Sequence, residues 1–148
     1  VSTPQSAVFR RYLSAMVLNS LATAEAAGLN ATDYYALNLL DLSGPLTSGE
    51  LAARTGLTTG ATTRLIDRLE RGGHVRRAAD PADRRKVIVE SAGRPEGLDT
   101  VLAGTRRRIG ELLQSFSAEE LAVLFDYFGR AATAYQEATD ELVSQTRS

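Results

Sequence analysis

The chain has 148 residues, 43% of them hydrophobic and 24% charged, with a net charge of −1, which fits an ordinary globular protein with a real core. It contains no cysteine and a single histidine, His74, excluding a disulfide framework, a thiolate metal site, a thiol redox sensor and a histidine-rich metal centre. No apolar run approaches the roughly 20 residues that span a bilayer, and the start lacks the basic-then-apolar order of a secretory signal. The expectation is a cytoplasmic protein with no membrane contact, cofactor or metal.

Residues 1–6 read as a frayed start. Phe9, Tyr12, Leu13, Met16, Val17, Leu21 and Ala24 then recur at helical spacing and predict a long amphipathic helix ending near Gly28. Leu29 and Asn30 supply a staple residue and an N-cap for a second helix, with Tyr34, Leu37 and Leu40 facing its core. Gly44-Pro45 breaks that helix. Thr47 followed by Glu50 fits a capping box that starts a short helix at Ser48. A turn follows at Gly56, and a second short helix runs to about Arg71, burying Thr62, Leu65, Ile66 and Leu69.

Gly72-Gly73 ends the helical pattern. His74 to Ala79 and Lys86 to Glu90 alternate as two short strands around the turn-forming Asp80-Pro81-Ala82-Asp83, a hairpin tipped by Arg84 and Arg85. A loop from Ser91 to Gly97 leads into a helix carrying Leu98, Val101, Leu102, Ile109, Leu112 and Leu113. Ser117 and Glu120 form a second capping box, opening a last helix that carries Leu121, Leu124, Phe125, Phe128, Ala132, Tyr135 and Leu142 on one face. A small central head cannot cover three long apolar stripes, so a second copy of the chain is expected to cover them.

Charge is divided unevenly. Residues 46–90 hold nine basic and six acidic side chains, a local balance of +3, while the remainder holds eight and twelve, a balance of −4. A basic head on an acidic body suits contact with a polyanion through one face.

A helix that enters the major groove needs small or polar side chains in its first turns, with donors that reach base edges. Thr58, Thr59, Gly60, Ala61, Thr63 and Arg64 meet that need, with Arg64 the candidate for a two-point guanine contact and Arg68, one turn on, for a phosphate. Asp67 is expected to pair within its helix with Arg64 or Arg71. Arg84 and Arg85 stand where a hairpin would cross a minor groove, whose narrow stretches attract arginine. Lys86 and Ser48 are placed on the DNA backbone, and Asp83 is expected to orient one of the arginines.

The layout of helices, with LTSGELAARTGLTTGATTRLIDRLERGG followed by DPADRR, resembles the MarR family of bacterial winged helix-turn-helix regulators. The specific part is Leu46 to Val89: Thr55-Gly56-Leu57, Thr63-Arg64, Asp67-Arg68-Leu69-Glu70 and Asp80 to Arg85. His74, the bare Gly60-Ala61 and the Pro95 region depart from the usual family pattern. The resemblance implies a mainly α fold with a small β-hairpin wing. Residues 1–28 and 92–148 would form a helical dimerisation domain, and residues 29–91 a winged DNA-binding head. It further implies a homodimeric repressor on double-stranded DNA, released by a small aromatic or anionic effector bound between head and dimer domain. By residue matching, Arg85 is the arginine that Asp83 braces for insertion. Tyr12, Met16 and Tyr35 are the candidate pocket residues.

Two rival classes stand beside this reading. One is a winged-helix dimer acting as a protein-interaction module without specific DNA binding. The other is an enzyme, disfavoured because the chain has no cysteine, one histidine and no glycine-rich phosphate loop, and so no catalytic residues in the spacing that nucleophilic chemistry requires.

Overall fold

The computed structural model describes residues 3–146. The elements run α1 (Thr3–Ala26), α2 (Ala31–Ser43), β1 (Leu46–Thr47), α3 (Ser48–Thr55), α4 (Thr59–Arg71), β2 (Val75–Ala79), β3 (Val87–Ser91), α5 (Leu98–Leu113) and α6 (Ala118–Thr146). The fold is mainly helical with one small antiparallel sheet in the order β1-β3-β2. Two compact units divide within α5: one reaches Leu102 and the other begins at Ala103.

In the first unit, local chemistry sets the helix ends. The Asn30 side chain accepts from the Asp33 backbone N–H to cap α2, which stops at Gly44 with φ 75°. At α3, Thr47 and Glu50 satisfy each other's backbone donors at 3.2 and 2.7 Å, the full capping box. Gly56 closes that helix in the left-handed region at φ 70°, where a side chain would be strained. Helix α1 begins at Thr3, so the frayed start expected for residues 1–6 is corrected from residue 3 onward; residues 1 and 2 lie outside the described residues. Pro4 falls in its first turn, where backbone N–H groups lack helical partners and proline's missing donor costs nothing.

The core of this unit joins Ala36, Leu37 and Leu40 of α2, Leu46 of β1, Leu51 of α3, Leu65, Ile66 and Leu69 of α4, and Val75 and Val89 of the hairpin. Strand β1 has no signature of its own in the sequence. It is two residues long and exists because Leu46 pairs with Val89 and Thr47 with Ile88. A smaller cluster of Ala24, Tyr34 and Leu98, with Leu29 and Leu102 against it, ties the end of α1 to α2 and the start of α5. Arg94 reinforces that corner by reaching Asp41 of α2 at 3.4 Å and Asp99 of α5 at 3.5 Å.

Within α1, Ala24 is buried, whereas Val8, Phe9, Tyr12, Met16, Val17, Leu18 and Leu21 are exposed in the single chain. In the second unit, Ser117 and Glu120 form the expected capping contacts at 3.2 and 2.8 Å. Phe125 and Phe128 meet edge to face on α6 with centroids 5.9 Å apart. Val123, Phe125, Tyr127, Tyr135 and Leu142 remain exposed. No helix among the described residues is long and apolar enough to cross a membrane.

Candidate nucleic-acid interface

Helix α4 is built so that one face is committed to the core and the other is left bare. Thr58 is its N-cap and accepts from the Ala61 N–H at 3.2 Å. Thr62 turns inward, fully buried, and donates to the Thr58 carbonyl at 2.9 Å. Thr59, Gly60, Thr63 and Arg64 are exposed together, while Ala61 is half-buried. Thr63 donates back to the Thr59 carbonyl at 3.0 Å, and its exposed hydroxyl oxygen can still accept. A Cβ placed on Gly60 would lie 3.9 Å from Arg64 Nη1, so the guanidinium lies over the bare first turn of the helix. Four features therefore share that surface: a helix N-terminus, small side chains, hydroxyls and one arginine. Ser48 is half-buried at the first position of α3.

The hairpin presents a second basic feature. Its tip is closed by Asp80 N–H to the Lys86 carbonyl and Lys86 N–H to the Asp83 carbonyl, both 2.9 Å. Asp83 Oδ1 accepts from the Arg85 backbone at 3.1 Å and from Arg85 Nε at 3.3 Å, yet the Arg85 side chain is 92% exposed. Such an exposed pair contributes little stability, but it restricts the directions in which the guanidinium points. Arg84 and Lys86 are exposed beside it.

Two arginines do work that the sequence did not disclose. Arg77 of β2 donates through Nη2 to Asp67 at 2.6 Å and through Nη1 to Glu70, fastening the hairpin to α4. The hydrogen bond to Asp67 is the main cause of its raised pKa. The expected pairing of Asp67 within its own helix is thereby corrected: its carboxylate goes to β2, and Arg71 reaches only the Asp67 backbone carbonyl, at 3.3 Å. Arg68 donates through Nε and Nη2 to the two oxygens of Asp33 at 3.1 and 2.7 Å. Nothing in the sequence marks Asp33 as part of this site. Its partner lies 35 residues away, and no local pattern announces a pair at that distance.

Tyr12, Met16 and Tyr35 are each about half exposed, at 43%, 48% and 45%. They line neither the shallow groove over Phe116, Val123 and Tyr127 nor the small cleft between Tyr34, Asp41 and Pro95.

A family model described as "MarR family" matches residues 27–86, the stretch from the turn after α1 to the hairpin tip. The HTH-type transcriptional regulator YcgE of Bacillus subtilis (strain 168) is 37% identical over 136 residues, covering 91% of this chain and 88% of YcgE. The chain belongs to the MarR family. Among solved structures, a MarR family protein from Bacillus stearothermophilus is 28% identical with a TM-score of 0.61, covering 94% of this regulator and 99% of that chain. A MepR variant of S. aureus, bound to an oligodeoxyribonucleotide, is 19% identical with a TM-score of 0.58, covering 90% and 97%, and shares the fold. This MarR-family protein is thus a winged-helix transcriptional regulator, and its relatives are regulators rather than enzymes.

Proposed function

We propose that this regulator is a homodimer that binds a pseudo-palindromic duplex, with α4 in the major groove and the hairpin over the minor groove of each half-site. The observation that carries the reading is the bare start of α4, where Thr59, Gly60, Thr63 and Arg64 are exposed on the same unit as an Arg85 held outward by Asp83. Arg64 reads a base edge, Thr58, Thr59, Gly60, Ala61 and Thr63 form the close approach, and Arg84, Lys86 and Ser48 meet the backbone. The MepR neighbour, bound to an oligodeoxyribonucleotide, supports binding to DNA. The exposed apolar side chains of α1, Phe9, Met16, Val17 and Leu21 among them, support pairing with a second copy. Repression, and release by a small aromatic or anionic effector lined by Tyr12, Met16 and Tyr35, complete the proposal and rest on the family. Residues 1–28 and 92–148 are proposed as the dimerisation elements and 29–91 as the head.

The test is selection from a random-sequence duplex pool followed by binding at several salt concentrations, with sedimentation to establish the dimer. Arg64→Gln should relax sequence preference at one position. Arg84→Gln and Arg85→Gln should weaken binding across sequences and reduce the salt slope by about one each. A dimer that enriches no sequence and shows no salt-sensitive complex would instead be a protein-interaction module.

A further inference from the structure

Asp33 is an unusual carboxylate. At the third position of α2 an acidic side chain ordinarily turns back to the N-cap backbone donor, yet here both oxygens are taken by Arg68 of α4, at 2.7 and 3.1 Å. Its side chain is only 7% exposed, against 42% for Arg68, so the pair is sunk on the Asp33 side and wet on the other. The Asp33 backbone N–H is simultaneously held by the Asn30 side chain at 2.8 Å, which immobilises the residue from which the carboxylate projects. Arg68 sits one turn after Arg64, between the fully buried Leu65 and Leu69. Apolar contacts of Leu65, Ile66 and Leu69 hold α4 against the core but tolerate small rotations and slides, because dispersion and burial have no direction. A two-point guanidinium–carboxylate fork does not, since both N–H···O bonds are satisfied in one planar arrangement.

We propose that Asp33 is a positioning residue for DNA reading: acting through Arg68, it sets the rotation and axial register of α4 and so the place where Arg64 and Thr63 meet the bases. Arg68 then serves DNA binding through this pair and makes no phosphate contact. The neighbouring Tyr34 belongs to the Ala24–Leu98 cluster, so the start of α2 couples the end of α1 and the start of α5 to the reading helix. The inference rests on the reading of α4 as the DNA-contacting helix.

The experiment uses the full chain and a duplex that the wild type enriches from a random-sequence pool. Affinity is measured against salt for Asp33→Asn, Arg68→Gln, Arg68→Lys and the double variant Asp33→Asn/Arg68→Gln, with a thermal melt of each. Each single variant should lose about tenfold in affinity, the scale of one good base contact. The double variant should lose no more than the worse single one, and the salt slope should stay at the wild-type value. Arg68→Lys keeps the charge a phosphate needs but not the fork, and should bind as weakly as Arg68→Gln. If Asp33→Asn is unfolded at the assay temperature, the neutral double variant, which leaves no charge unpaired, is read in its place.

The positioning role is overturned if the variants match wild type, if Arg68→Lys restores full affinity, or if Arg68→Gln lowers the slope by about one while Asp33→Asn binds normally. A wild type that enriches no sequence overturns the DNA reading itself and the positioning role with it. A binding wild type matched by Asp33→Asn overturns the positioning role alone.

Discussion

Asp67 has two arginines within reach, and the structure distinguishes them sharply. Its carboxylate meets Arg77 of β2 at 2.6 Å, while Arg71, four residues along α4, touches only its backbone carbonyl. The perturbation is a pair of double-mutant cycles, Asp67→Asn with Arg77→Gln and Asp67→Asn with Arg71→Gln. The Arg77 and Asp67 side chains are 33% and 49% exposed, so the pair belongs near the upper end of the surface range, roughly 0.5–1 kcal/mol of coupling. Glu70 supplies Arg77 with a second carboxylate, so Arg77→Gln alone should cost roughly 1–2 kcal/mol and lower the melting temperature by about 3 °C per kcal/mol for a chain of this size. The Arg71 cycle should close to additivity, because the carbonyl that Arg71 uses survives substitution of the Asp67 side chain. Urea unfolding followed by circular dichroism gives both couplings. Coupling of Asp67→Asn to Arg71→Gln as strong as to Arg77→Gln would mean that the carboxylate is shared along the helix and that the hairpin is not fastened to α4.

Two further outcomes follow from local chemistry. Thr47→Ala should cost about 1 kcal/mol through loss of the α3 cap. Hydrogen bonds from Thr47, backbone first, hold the Glu50 carboxyl below its ordinary value of 4.5, so its stabilising contribution is complete above that value and disappears as pH falls through the lowered one. Glu50→Ala should therefore differ from wild type at neutral pH by a gap that narrows only below about pH 4.5; a gap that stays constant into acid would contradict the capping role. At the end of α4, a Cβ on Gly72 would lie 2.9 Å from Cδ2 of the His74 ring. Gly72 is exposed and helical in conformation at φ −75°, so Gly72→Ala is opposed only by this half-buried ring and should change the stability of the wild type by less than about 0.5 kcal/mol. In a His74→Ala background, with the ring gone, the same change should stabilise by about 0.4–1 kcal/mol, as comparative melts would show.

Elements whose cause is local can be read from neighbouring residues alone. Thr47 with Glu50, Ser117 with Glu120, Asn30 ahead of α2 and Gly56 between α3 and α4 each act within four residues, so hydroxyl, carboxylate and left-handed glycine could be read before any fold was known. Spacing alone likewise predicted that Thr62, Leu65, Ile66 and Leu69 turn inward and that Thr63 and Arg64 stay outside. Tertiary structure decided whatever depends on residues far apart in the chain. Strand β1 exists only because β3 offers it two partners, Asp67 is claimed by a strand ten residues away, and Arg68 is claimed by a carboxylate 35 residues back. Charge has no periodicity, so a lone arginine on a helix looks the same whether it points to solvent, to DNA or to a buried aspartate. Packing places the carboxylate, and only then does the arginine acquire a partner.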